Sequence, residues 1–344
     1  MEILAYSGKL FASAVFVAQI FDEAQDMFTL EGKPLQTWLT GVPATATVTF
    51  ESNGITITLT LPPECKMTVP EQSSLDTTKW PFWDTAITQA QETATLPALR
   101  FRAALEYAKK FASTDESKSL DLCAVAVKDG CVYATDRNRA TMISVAGLGA
   151  TANFKIHQTD VSSVIGFLPK DGDITIQEYS GGTIFKRGDG VLMGCGAPDI
   201  KFPFFKRPED TDHYCWEVNK EDIITALPAL YAWSDDKDNR LGFNQKGTAT
   251  IEMTKISKNN KPSTKQIDCL GATNKADAPV LPDGGFAVSY KSLQEVLQAT
   301  DLKTIKIGVN LLKKTGYLRF MEKRFADEAG NNGDEYLTIM VWLY

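Results

Sequence analysis

Two groups of fixed charge are the residues in this 344-residue chain that could do chemistry, and the chemistry is ionic. Asp136-Arg137-Asn138-Arg139 is a polar turn carrying two guanidinium groups, the planar donors that suit carboxylates and phosphates. Arg102, Lys109 and Lys110 are spaced so that, with Glu106, they fall on the far face of a helix whose near face is Phe101, Leu105, Ala108 and Ala112. Each group taken alone also has a plainer reading, a solvated hairpin turn and a solvated helix face.

Other chemistries lack their parts. His157 and His213 are the two histidines, and two isolated histidines give no hydrolase triad. Gly194-Cys195-Gly196 lies in a strand-like run instead of a strand-to-helix turn, and there is no GxxxxGK[ST] loop to cradle a phosphate. Arg187-Gly188-Asp189 reads as a β-turn. Cys65, Cys123, Cys131, Cys195, Cys215 and Cys269 form no CxxC pair, so neither a metal site nor a disulfide framework is expected, and reduced cytoplasmic thiols are the economical reading. The sequence therefore points to no active site, metal or cofactor.

Composition narrows the class further. The chain is 43% hydrophobic and 10% aromatic, as packed globular domains are, and carries 36 Lys plus Arg against 43 Asp plus Glu, a formal charge of −7. An acidic total argues against coating nucleic acid by bulk attraction, though it leaves room for a local basic face. Leu10 to Phe21 is apolar but too short to span a bilayer, and is expected to be a buried strand.

The elements that must position the charged groups recur along the chain. A short alternating strand leads into a short amphipathic helix and then into further alternating strands, beginning near Phe28, Leu96, Phe154, Trp216 and Phe286, at separations of 68, 58, 62 and 70 residues. The five helices share a stripe at i, i+3 and i+4: Leu35, Trp38 and Leu39; Phe101, Leu105 and Ala108; Val161, Val164, Ile165 and Leu168; Ile223, Leu227, Leu230 and Tyr231; Leu293, Val296 and Leu297. Pro228 is expected to kink the fourth or end it early. After each helix the period falls to two, as in Ile174 and Ile176, or Ile305, Ile307 and Val309, the pattern of antiparallel meanders. The fold class is α+β.

Two connections break the pattern, the polar Ser73 to Glu92 and Phe202-Pro203-Phe204-Phe205-Lys206-Arg207-Pro208 with the acidic residues behind it. They divide the chain into three domains, 1–93, 94–207 and 208–344. Ser257 to Thr264 and Ala326 to Glu335 read as solvated loops.

The ordered repeats, together with Ala134-Thr135-Asp136-Arg137-Asn138-Arg139-Ala140, resemble the bacterial DNA sliding clamp, the β subunit of the replicative polymerase. That family carries Ala-Thr-Asp-Gly-His-Arg-Leu or a close variant at this turn, so Asp136 and Arg139 are kept in type and the Gly-His pair is replaced. The resemblance extends from Thr95 through FKIHQTDVSSVIGFLPKDGDITIQ to GCGAPDIKFPFF, and from Trp216 through FAVSYKSLQEVLQATDLKTIKIGV to YLTIMVWLY. Lys79-Trp80-Pro81-Phe82-Trp83 closes a part similar to the second half of the family's first domain. Residues 1 to 26 leave too little chain for its first half, so one of the usual six helices is expected to be missing. Val341 stands where the family has proline. These departures suggest a divergent member, with a phage origin among the options.

The resemblance implies three tandem clamp domains with antiparallel sheets outside and short helices inside, and a homodimer ring that encircles double-stranded DNA without an enzymatic step. DNA-facing cations would be Arg102, Lys109 and Lys110, then Arg100, Lys33, Lys170, Lys220 and Lys291. It also implies a groove for short linear motifs of the DNA polymerase and clamp loader. Thr135, Arg137, Asn138 and Arg139 would form its loop, Phe202, Pro203, Phe204, Lys206 and Arg207 its linker wall, and Met340, Val341, Trp342, Leu343 and Tyr344 its strand. The alternative is a structural or interaction protein, such as a virion component, that uses a clamp-like fold without encircling DNA.

Overall fold

The computed structural model describes residues 2–7, 10–15, 32–40, 42–43, 48–52, 56–61, 65–70, 87–207, 212–231, 240–255, 263–281, 286–312, 315–326 and 333–341. Among these, five helices of eight or more residues are α1 (Gly32–Leu39), α2 (Ala98–Lys109), α3 (Gln158–Phe167), α4 (Lys220–Tyr231) and α5 (Tyr290–Ala299). The last four each follow directly on a strand: Gln91–Pro97, Asn153–His157, Tyr214–Asn219 and Phe286–Ser289. This is the predicted strand-to-helix step, four times over; the fifth, near Phe28, lies outside the described residues.

Each step has a local cause. Pro97 precedes α2 with φ fixed near the helical value, so it closes the strand and leads the first turn. Ser289 caps α5 by accepting from the Ser292 N–H at 3.2 Å. Of the two outcomes expected at Pro228, the early end does not occur: α4 continues to Tyr231. Ile223, Leu227 and Leu230 are buried on one side while Pro228 is exposed on the other, so burial of the apolar stripe outweighs the lost hydrogen bond.

The strands form antiparallel sheets of six, nine, four and three strands. Leu10–Val15 pairs with Leu192–Gly196, which joins the N-terminal hairpin to the six-stranded sheet. Leu10–Val15 bears out the first half of the expected apolar strand; 16–21 lies outside the described residues. The nine-stranded sheet carries the candidate site. Its order runs Asn153–His157, Ala124–Lys128, Cys131–Thr135, Arg139–Ser144, Asp334–Val341, Thr315–Arg324, Thr304–Leu312, Tyr214–Asn219 and Gly271–Asn274. Arg139–Ser144 and Asp334–Val341, about 190 residues apart in sequence, pair from Glu335 opposite Ser144 to Met340 opposite Arg139.

Two loop expectations end earlier than drawn. Asp334 and Glu335 belong to the last strand, and Ser263 and Thr264 to a strand of the four-stranded sheet. The six-helix question falls on residues 1–26, described at 2–7 and 10–15, where both segments are strand.

Burial sorts the nine-stranded sheet into two faces. Val125, Val127, Val132, Ala134 and Ile143 join the main core with Phe101, Leu105 and Ala108 of α2 and Val161 and Val164 of α3. Ala124, Ala126, Cys131 and Tyr133 face the other way, packed with Ile200 and Phe202 of the connection that follows. Because both faces are covered, the strands Ala124–Lys128 and Cys131–Thr135 are buried almost throughout instead of alternating.

Candidate functional site

The Thr135–Arg139 turn is built by its own side chains. Asp136 Oδ1 accepts from the N–H groups of Asn138 and Arg139, each at 3.0 Å, and Thr135 Oγ1 donates to the Arg139 carbonyl at 2.9 Å. Arg137 stands at φ 80°, a left-handed conformation costly for a residue with a Cβ. Arg137 and Asn138 are exposed at the tip.

Arg139, expected on the groove's rim, turns inward. Its side chain is 9% exposed and donates to Asp136 Oδ2 at 2.9 Å, to the Lys110 carbonyl at the end of α2 at 2.9 Å, and to Glu295 of α5 at 2.6 Å. The guanidinium also lies 5.1 Å from the centre of the Phe111 ring. One planar group thus ties the turn to two helices that are distant in sequence.

Further contacts close the same seam on the helix side. Tyr107 of α2 hydrogen-bonds Thr338 at 2.8 Å and meets the Tyr336 ring edge-on at 5.1 Å. Arg324 lies over both rings, 5.3 Å from Tyr107 and 4.6 Å from Tyr336, and its Nε donates to Glu322 at 2.7 Å. Burial raises the phenol of Tyr107 to about 12, the Thr338 hydrogen bond opposing it, and burial pushes Tyr336 up as well. Asp334 is fully buried and its carboxyl is raised by that burial, with the Ala146 N–H at 2.9 Å and Arg100 at 3.5 Å pulling the other way.

The outer side of the seam is crossed by the 202–207 connection. Phe202 is buried, and Phe204 meets Tyr133 edge-on at 5.3 Å with Lys128 Nζ 5.1 Å from its ring centre. Pro203, Phe204 and Lys206 are exposed. Arg207 makes a two-pronged ion pair with Glu335 of the last strand, at 2.9 and 2.6 Å. Farther on, Asp212 pairs with Arg319 at 2.5 Å and lies over Gly308, where a Cβ would come 2.1 Å from Asp212 Oδ2. The connection is therefore held along the sheet's outer face at successive points.

The predicted cations divide. Arg102 donates to Glu106 at 3.0 Å and to the Leu168 carbonyl at 3.3 Å, Lys109 donates to Ser162 of α3, and Lys110 is exposed at the end of α2. Lys33, Lys170 and Lys291 are exposed as well. Lys220 instead donates to the Thr300 carbonyl at 2.9 Å, and Arg100 is held at the seam by Asp334 and by the Phe325 carbonyl at 3.2 Å. Of the predicted groove strand, Met340 is buried on the core side and Val341 ends the strand; Trp342, Leu343 and Tyr344 lie outside the described residues. Tyr107, Tyr336 and Arg324 were not singled out in the sequence. The signal for Tyr107 is a second stripe, Ala104 and Tyr107 on α2 with Phe111 just past its end, at i, i+3 and i+7.

Among the described residues no group of histidine, cysteine or carboxylate side chains is arranged to hold a metal, and no helix is long and apolar enough to cross a membrane. The geometry offers ionic and apolar contacts on two opposed surfaces, one lined by helices and one crossed by the connection.

No protein-family model and no curated protein matches this sequence. Solved structures do. A DNA polymerase III β-subunit sliding clamp from Bartonella birtlesii, crystallised with griselimycin, superposes with a TM-score of 0.74 at 16% identity, covering 100% of this chain and 88% of that one. The β subunits from Thermotoga maritima and Bacillus subtilis each give 0.73, at 16% and 13% identity, with the same coverages.

Proposed function

We propose that this chain, which has the sliding-clamp fold along its whole length, is a DNA sliding clamp: a non-enzymatic ring that encircles duplex DNA and tethers a polymerase. The observation that carries the reading is the agreement over 100% of the chain, so that no part of it is left for an unrelated domain. The proposed domains are 1–93, 94–207 and 208–344, the first shortened, assembled as a homodimer in the cytoplasm.

Electrostatics supports the same reading. A ring held by topology does not need high affinity, so a total charge of −7 is compatible with sliding. Contact need only be local and independent of sequence, as phosphate contacts from Arg102, Lys109 and Lys110 would be. Arg102 and Lys109 lie on α2 and Lys110 just past its end, while the helix's apolar face is buried in the core. The opposite side, with Thr135, Arg137, Asn138, Pro203, Phe204, Lys206, Arg207 and the C-terminal strand, would take short motifs of the polymerase and loader. Arg139 serves that groove by holding the turn in place.

Loading onto nicked-circular and linear DNA with a cognate loader is the test. A clamp persists on the circle and slides off the linear ends; equal loss from both removes topological linkage and leaves a clamp-shaped interaction protein. Replacing Arg102, Lys109 and Lys110 by Glu is expected to shorten retention on the circle several-fold and to flatten its salt dependence.

A further inference from the structure

We infer that His213 is a pH-sensitive fastening of the outer connection: its neutral ring pins the chain to the strand Thr304–Leu312, and a proton on the ring releases it. This fastening stands whether or not the chain encircles DNA.

His213 sits where the chain enters the strand Tyr214–Asn219, next to the Asp212–Arg319 pair. Its N–H donates to the Val309 carbonyl at 2.9 Å, its carbonyl accepts from the Lys275 N–H at 2.9 Å, and its ring Nδ1 lies 3.1 Å from the Leu311 nitrogen. A backbone N–H only donates, so Nδ1 has to accept. Regular pairing of the two strands stops at Tyr214 opposite Val309, and Leu311, two positions farther on, is buried. With the His213 carbonyl taken by Lys275, the ring nitrogen serves the Leu311 N–H in place of a backbone oxygen.

The charge of the ring follows from this geometry. An Nδ1 that accepts carries no proton, which puts the ring's single proton on Nε2 and makes the imidazole neutral. Imidazolium donates from both nitrogens, so a protonated ring sets one N–H against another and loses the bond. The fastening is therefore complete where the ring is neutral and is lost as pH falls.

The groups around the ring come from four elements. Asp212 is paired with Arg319 of Thr315–Arg324, and Tyr317 of that strand stands opposite Asn310. Cys215, two residues on, has its thiol pushed up by burial, with Asp212 and Glu217 adding to the shift and Lys306 of Thr304–Leu312 and Arg319 opposing it. Tyr214 donates to the Pro279 carbonyl at 2.6 Å, and Lys275 follows directly on Gly271–Asn274. Among these side-chain types histidine is the one whose charge ordinarily changes between pH 5 and 8.

The test is backbone hydrogen exchange of the full-length protein at about pH 7.5 and about pH 5.5, read by mass spectrometry over Ile307–Leu312 and corrected for the intrinsic rate at each pH. Exchange there is expected to run about tenfold faster at the lower pH, the consequence of leaving one buried N–H unmet. Peptides over Ala124–Lys128 should not change; an equal rise in both regions means general acid loosening and overturns the local switch. His213→Asn keeps a non-titrating acceptor close to the place of Nδ1 and should stay slow at both pH values, whereas His213→Ala should be fast at both. Equal rates at the two pH values in the wild-type protein overturn the proposal, as does an acid response that survives in His213→Asn. Ring-nitrogen NMR of the wild-type protein decides the matter if His213→Asn does not fold. Nδ1 is expected without a proton at the higher pH and with one at the lower; a proton on Nδ1 at the higher pH, or a ring still neutral at the lower, removes the switch.

Discussion

The two sides of the seam between Arg139–Ser144 and Asp334–Val341 are held by different means. On the helix side the contacts centre on buried groups: Arg139 with the Lys110 carbonyl and the partly exposed Asp136 and Glu295, and Tyr107 with Thr338 and Tyr336. On the outer side they are a half-exposed ion pair, Arg207 with Glu335, and rings packed edge-on around an exposed Phe204. Hydrogen bonds made by a buried charged group are costly to lose, whereas exposed ion pairs contribute little. The difference teaches that stability of the seam resides mainly on the helix side.

The largest expected effect that would break this contrast is at Arg139. Arg139→Ala leaves the Lys110 carbonyl unmet and takes the shared cation from the partly exposed Asp136 and Glu295, and should cost about 1–3 kcal/mol in denaturant unfolding. A loss no greater than that of Arg207→Ala would erase the distinction between the sides.

Next comes Tyr107→Phe, which removes one buried hydrogen bond and should cost about 1 kcal/mol. The same residue gives a pH signature. The folded phenol titrates at about 12, above its ordinary 10.0, so the native state holds that proton more tightly. Its contribution is complete below about pH 10 and is lost as pH rises through 12. Unfolding measured between those limits should fall less steeply in Tyr107→Phe than in the wild-type protein.

The smallest effect belongs to the outer side. Arg207→Ala should change stability by less than about 1 kcal/mol. It should nevertheless weaken binding of motif peptides, measured by fluorescence anisotropy; a change in stability without one in affinity would make Arg207 a structural tie only.

Much of the fold was legible because it rests on local periodicity. The strand-to-helix steps at Pro97, His157, Asn219 and Ser289 follow from a change of period that any window of the sequence displays. Arg139 was legible in type and not in direction. A polar turn reads as surface, and the contacts that draw this guanidinium inward come from Lys110 and Glu295, 29 residues upstream and 156 downstream. The pairing of Met340 with Arg139 likewise depends on strands whose proximity no local pattern encodes. Pro228 shows the reverse case, a strong local signal overruled by packing.

Gly308 turns the outer connection into something that can be loosened by shape alone. A single methyl group there would act as a wedge against Asp212, whose carboxylate is paired with Arg319. Gly308→Ala therefore offers a charge-neutral handle on how firmly the connection is fastened, separable from any change in the groove's own side chains.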